Sequence, residues 1–79
     1  MALIQSFERV TKERQHVHKP TRCHASDFVG AGDKRYLQLD TYGTDDREFP
    51  EKVSQAIQLD EESARQLIEL IKATFPNLA

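Results

Sequence analysis

Val53-Ser54-Gln55-Ala56-Ile57-Gln58-Leu59-Asp60-Glu61-Glu62-Ser63 changes its period half-way along, and that change decides the fold. Up to Leu59 the residues alternate. Val53, Gln55, Ile57 and Leu59 fall on one side and Ser54, Ala56 and Gln58 on the other, the two-residue period of a half-buried strand. Beyond Asp60 the apolar residues Ala64, Leu67, Ile68, Ile71 and Phe75 return at helical spacing and make one stripe. Asp60 stands where a carboxylate accepts from the orphan N–H groups of a first helical turn, and Glu61 and Glu62 suit the positive end of the helix dipole. Arg65, Gln66, Glu69 and Lys72 take the outer face. Pro76 stops the helix, because its ring and missing N–H cannot continue it. An amphipathic helix in a small domain most often covers a sheet.

Working outward, Tyr36 to Tyr42 also alternates, with Leu37, Leu39 and Thr41 opposite Tyr36, Gln38, Asp40 and Tyr42. The ten residues from Gly43 to Lys52 are too long for a tight turn and too short for a crossover helix, so the two strands are expected to run antiparallel. Upstream, Gly30-Ala31-Gly32-Asp33 is turn chemistry and predicts a hairpin between strands over 22–29 and 34–42. Residues 1–19 are ambiguous. Leu3, Ile4, Phe7 and Val10 share a helical face, yet 10–18 reads as extended and Pro20 disfavours helix at Lys19. A strand over 7–17 is the expectation. The fold class is therefore α+β: a small curved antiparallel sheet of three to four strands with one C-terminal helix packed on one face.

Seventy-nine residues are expected to form a single domain, 1–79. A chain of this length buries only about 60% of its unfolded surface, so it is marginal alone. Small scaffolds recover stability through disulfides, metals or self-association. Cys23 is the only cysteine, which removes an internal disulfide and fits a reducing, cytoplasmic setting. The opening Met1-Ala2-Leu3-Ile4-Gln5-Ser6-Phe7-Glu8-Arg9 is soon charged and reads as no signal peptide. No run approaches the roughly 20 apolar residues of a membrane helix. A homodimer is then the simplest expectation, with no cofactor and no membrane partner. The net charge of −2 is unevenly spread: residues 1–40 carry seven Lys/Arg against five acids, and residues 41–79 four against eight. That asymmetry points to a basic face with an acidic back.

The sharpest cluster is His16-Val17-His18-Lys19-Pro20-Thr21-Arg22-Cys23-His24, with four metal-ligand types in nine residues. On a strand His16 and His18 project to one side, as two imidazoles sharing an ion do. Cys23 and His24 then point to opposite faces, and Arg14, Lys19 and Arg22 oppose a dication, so the metal reading ranks low. The same residues serve a second reading. If 12–18 is extended, Lys12, Arg14, His16 and His18 form a row about 6.6 Å apart. Such a row follows a phosphodiester backbone, whose neutralisation drives non-specific nucleic-acid binding. Tyr36 and Tyr42, facing away from Leu37 and Leu39, offer flat surfaces for bases. Asp45-Asp46-Arg47-Glu48 lacks the alternating donors and fixed glycine of a calcium loop. No serine stands on a strained turn beside a histidine base, and one helix over a sheet hardly walls a catalytic pocket. No enzyme is expected.

The run Lys34-Arg35-Tyr36-Leu37-Gln38-Leu39-Asp40-Thr41-Tyr42, the acidic loop Thr44-Asp45-Asp46-Arg47-Glu48-Phe49-Pro50-Glu51-Lys52 and then Ser54-Gln55-Ala56-Ile57-Gln58-Leu59-Asp60-Glu61-Glu62 resemble the C-terminal half of transcriptional coactivators of the positive-cofactor-four type. The likeness covers residues 34–75, with Ile57-Gln58-Leu59 in the place of the family's last strand. It implies a curved antiparallel sheet backed by one helix, a homodimer, and single-stranded DNA bound along the sheet. The family's β-region is more densely basic than this chain's. The opening from Phe7 to Thr21 is also similar to that of short bacterial proteins, some carrying a formyltransferase-type name, a catalytic domain for which 79 residues leave no room.

The leading expectation is a non-enzymatic single-stranded nucleic-acid-binding protein linked to transcription or DNA metabolism. Lys12, Arg14, Lys19, Arg22, Lys34 and Arg35 would meet phosphates, and Tyr36 and Tyr42 would stack bases. The rivals are a protein-interaction or scaffolding homodimer and a small metal-binding protein using His16, His18, Cys23 and His24.

Overall fold

The computed structural model describes residues 1–42 and 53–78. Its elements are β1 (Ala2–Ile4), β2 (Cys23–Val29), a short 3-10 turn (Ala31–Asp33), β3 (Arg35–Tyr42), β4 (Val53–Leu59) and α1 (Glu61–Thr74). The four strands make one open sheet in the order β1-β4-β3-β2. β2 and β3 form the hairpin expected from the glycine-rich turn, with Phe28 opposite Tyr36 and His24 opposite Asp40. That turn closes through the Gly30 N–H donating to the Lys34 carbonyl at 2.8 Å. Gly32 sits at φ 69° and Asp33 at φ 58°, left-handed values that glycine and aspartate tolerate best.

β3 and β4 are antiparallel, with Leu37 opposite Leu59 and Leu39 opposite Ile57, and the register slips between Thr41 and Tyr42. The loop expected to join them, including Gly43 and Asp45-Asp46-Arg47-Glu48, lies outside the described residues. The N-terminal expectation needs correction. The strand is not over 7–17 but at Ala2–Ile4, and it pairs with β4 in parallel, Ile4 beside Leu59, so the sheet is mixed. Residues 5–22 carry no regular structure. Glu13, Arg14 and their polar neighbours offer no apolar face that would fix a register there.

Cross-strand partners share a face of a sheet. Ile4, Leu59, Ile57, Leu37 and Leu39 therefore lie together on one side, and α1 rises on that side. Leu59 is 2% exposed and Ser63 fully buried, which puts the centre of the core at the junction of β1, β4, β3 and the first helical turn. The turn is held by a capping box: the Ser63 N–H donates to Asp60 Oδ1 at 2.8 Å and the Asp60 N–H to Ser63 Oγ at 3.0 Å. The Phe7 N–H donates to Gln66 Oε1 at 2.8 Å and ties the N-terminal segment to the helix.

Only part of the apolar stripe is spent on this core. Ala64, Leu67 and Leu70 are half-buried, whereas Ile68 is 50% and Phe75 57% exposed, and Ile71 is exposed as well. The radius of gyration, 14.9 Å, exceeds the roughly 11–12 Å of a compact chain of this length.

Candidate nucleic-acid interface

The opposite face of the sheet collects the other half of each alternation: His24, Ser26 and Phe28 from β2, Tyr36, Gln38, Asp40 and Tyr42 from β3, and Ala56 and Gln58 from β4. The helix leaves this face open. At one end Phe28 and Tyr36 stack, their ring centroids 5.5 Å apart and their planes 25° from parallel. Gly30 lets them do so: a Cβ there would stand 2.7 Å from the Tyr36 ring.

Six residues along β3, about 20 Å away by strand rise, lies a second aromatic pair. The Tyr42 hydroxyl and His24 Nδ1 are 2.9 Å apart, and their rings meet edge-on with centroids at 4.7 Å. The Arg22 guanidinium rests over the Tyr42 ring at 5.3 Å, within cation–π range. Thr21 Oγ1 donates to the Tyr42 carbonyl at 2.7 Å and fixes the end of the 5–22 segment against β3. Between the two aromatic ends runs a polar chain, with Gln58 Nε2 donating to Gln38 Oε1 and Gln38 Nε2 to Asp40 Oδ1, each at 3.0 Å.

No family model, curated protein or solved structure matches this chain. Its residues must therefore speak for the site. Tyr36 and Tyr42 both lie on the open face but at opposite ends of it, and Arg22 joins Tyr42 alone. Lys12, Arg14 and Lys19 lie on the 5–22 segment, which is not the strand on which a one-sided row was expected. Arg35 turns to the helix side, where it pairs with Asp27, an exposed pair worth little. Lys34 and Arg35 join Asp60, Glu62 and Arg65 around a cleft beside the helix start.

The four metal-ligand residues are not gathered. The His16 and His18 rings pack edge-on at 4.8 Å, His24 belongs to the Tyr42 pair, and Cys23 pairs with Thr41 on the helix side. Among the described residues no group of three or more His, Cys, Asp or Glu is placed to hold a metal ion, and no helix is long and apolar enough to cross a membrane.

Phe28 is the residue that sequence reasoning missed, and the sequence reads His24 only as a metal-ligand candidate and not as part of this face. Their signal was the alternation of Cys23-His24-Ala25-Ser26-Asp27-Phe28-Val29, legible once the hairpin register puts Phe28 opposite Tyr36. Asp60, at the helix start, has its carboxyl held below the ordinary range by the Ser63 N–H, then by the Ser63 hydroxyl and by nearby Lys34.

Proposed function

We propose that this protein binds single-stranded nucleic acid across the open face of its sheet, without catalysing a reaction. The observation that carries the reading is the pair of aromatic platforms at opposite ends of one face, with Arg22 over one of them. Bases of any sequence stack on aromatic rings, while a positive groove tracks the backbone. Phe28 with Tyr36 and His24 with Tyr42 supply the stacking surfaces. Arg22, over the Tyr42 ring, supplies a phosphate contact on this face, and Lys12, Arg14 and Lys19 of the 5–22 segment and Lys34 supply others, whereas Arg35 is turned to the helix side against Asp27. The resemblance to positive-cofactor-four-type coactivators supports the same reading and points to a role in transcription or DNA metabolism. One exposed free cysteine suits a cytoplasmic protein.

The experiment is a titration of labelled single-stranded oligonucleotide at low and moderate salt. Affinity should fall steeply as salt rises, and changing Lys12 and Arg14 together to alanine should flatten the log–log slope by about 1.4, at about 0.7 per lost phosphate contact. Absence of binding at low salt refutes the proposal. A second reading, self-association into a homodimer, rests on the exposed Ile68, Ile71 and Phe75 of α1. Burying that stripe against a second copy leaves the aromatic face open, so the two readings are compatible.

A further inference from the structure

A face that meets a polyanion gains nothing from a carboxylate unless the carboxylate meets something other than phosphate. Asp40 sits in the middle of this face, opposite Ala56 across the β3–β4 pair. It borders a concavity of about 390 Å³ whose apolar walls include Leu3, Val53 and Ala56 and whose polar groups are Gln38, Asp40 and Gln58. Apolar walls with a few convergent polar groups are the usual make-up of a small-ligand site.

We propose that this hollow receives one base of the bound strand and that guanine is the base it fits. The inference rests on the single-strand reading above. Gln58 donates to Gln38 and Gln38 donates to Asp40, so the chain of amides ends on the carboxylate with every donor pointing the same way. An ionised carboxylate only accepts, and it has about four lone-pair sites, of which this chain occupies one. The remaining sites demand donors. Guanine alone among the bases offers two adjacent donors on its Watson–Crick edge, N1–H and the N2 amine, matching the two carboxylate oxygens. Adenine and cytosine offer one amine beside a ring-nitrogen acceptor, and thymine one N–H flanked by carbonyl oxygens, all of which set a lone pair against Asp40. Stacking at the Phe28–Tyr36 and His24–Tyr42 ends carries no base information, so discrimination falls to this central chain.

The test uses the full chain and short oligothymidylates carrying one central guanine, inosine or adenine, measured by fluorescence anisotropy. The guanine strand should bind about tenfold more tightly than the adenine strand, the order of effect of one bidentate base contact. Inosine, lacking the N2 amine, should fall between. Asp40→Asn should bring the guanine and adenine strands to equal affinity, and so should Ala56→Leu, which fills the hollow without altering its polar groups. Thermal melts of both variants establish that they are folded. Equal binding of guanine and adenine strands by the unaltered protein overturns the guanine site and leaves the single-strand reading standing. A preference that survives Asp40→Asn overturns it too. Failure of every strand to bind refutes the single-strand reading and this inference with it.

Discussion

Replacing Gly30 by alanine perturbs the Phe28–Tyr36 platform without removing any group that contacts a ligand. The new methyl carbon would stand 2.7 Å from Tyr36 Cε2, 3.0 Å from Tyr36 Cδ2 and 3.7 Å from Phe28 Cε2. Carbon atoms pack best at about 3.5–4.0 Å, so the tyrosine ring must retreat by about 1 Å. Gly30 has φ −108°, an ordinary value for any residue, so the effect is one of crowding rather than backbone strain. Overpacking costs about 1–3 kcal/mol, and the half-exposed ring can swing outward, which holds the cost to the lower part of that range. Alanine also lowers the entropy of the unfolded chain, returning about 0.4–1 kcal/mol. The net expectation is a loss of about 1 kcal/mol, or a melting temperature lowered by about 4–8 °C for a domain of this size. Circular dichroism reads the melt, and proton NMR reads the Tyr36 ring against Tyr42, the other of the two tyrosines in the chain. Stacking on an aromatic ring is worth about 1–3 kcal/mol per base, so a displaced Tyr36 should weaken oligonucleotide binding about fivefold or more. Unchanged Tyr36 resonances and an unchanged melt would refute the packing argument. A displaced ring with undiminished binding would separate the platform from the proposed function.

Three further outcomes test other parts of the molecule. Leu59→Ala empties the most buried apolar position among the described residues and should cost about 2–5 kcal/mol in urea unfolding, a large share of a total near 4–12 kcal/mol for a chain this long; a loss below about 1 kcal/mol would move the core elsewhere. Asp60→Asn keeps a capping side chain but removes its charge. Because the folded carboxyl is held below its ordinary range by Ser63, its stabilisation is full above the unfolded carboxylate range of about pH 3.9 and is lost as pH falls through the lower folded value. The wild-type advantage over Asp60→Asn should thus be present at neutral pH and vanish in strong acid, and a gap that persists there contradicts the capping account. Ile68→Glu on the exposed helix stripe should leave the melt of a dilute sample little changed and convert any dimer to a 9.1 kDa species in light scattering; a dimer that survives the charge does not use this face.

Local chemistry made the second half of the chain legible. The strand-to-helix switch at Asp60, the alternation of Val53–Leu59 and the Gly30–Asp33 turn each carry their signal within a few residues, and each appears where that signal puts it. The N-terminus had no such signal. Three residues are too few to show a period, and the partner of Ala2 is Ile57, far along the chain. The apolar stripe of α1 was readable as a stripe, but which residues the sheet would cover was not. That depends on how the helix leaves β4, so Leu67 is half-buried while Ile68, next to it, is exposed. For the interface, the tyrosines were visible from β3 alone. Phe28 and His24 needed the hairpin register, and the Gln58–Gln38–Asp40 chain needed three strands in place.

The parallel seam between β1 and β4 also orders events during synthesis. β1 is made before β4, its strand partner among the described residues, which lies some fifty residues further along the chain, and such distant contacts form slowly. The β2–β3 hairpin, closed by a short turn, is ready long before. Pulse-labelled hydrogen exchange during refolding should therefore protect the amides bonded across the β2–β3 ladder ahead of those bonded across the β1–β4 seam; simultaneous protection would mean that the seam zips with the hairpin. Until Leu59 arrives, Leu3 and Ile4 have no β4 to pair with, so a ribosome-bound fragment that stops short of β4 leaves β1 without that partner.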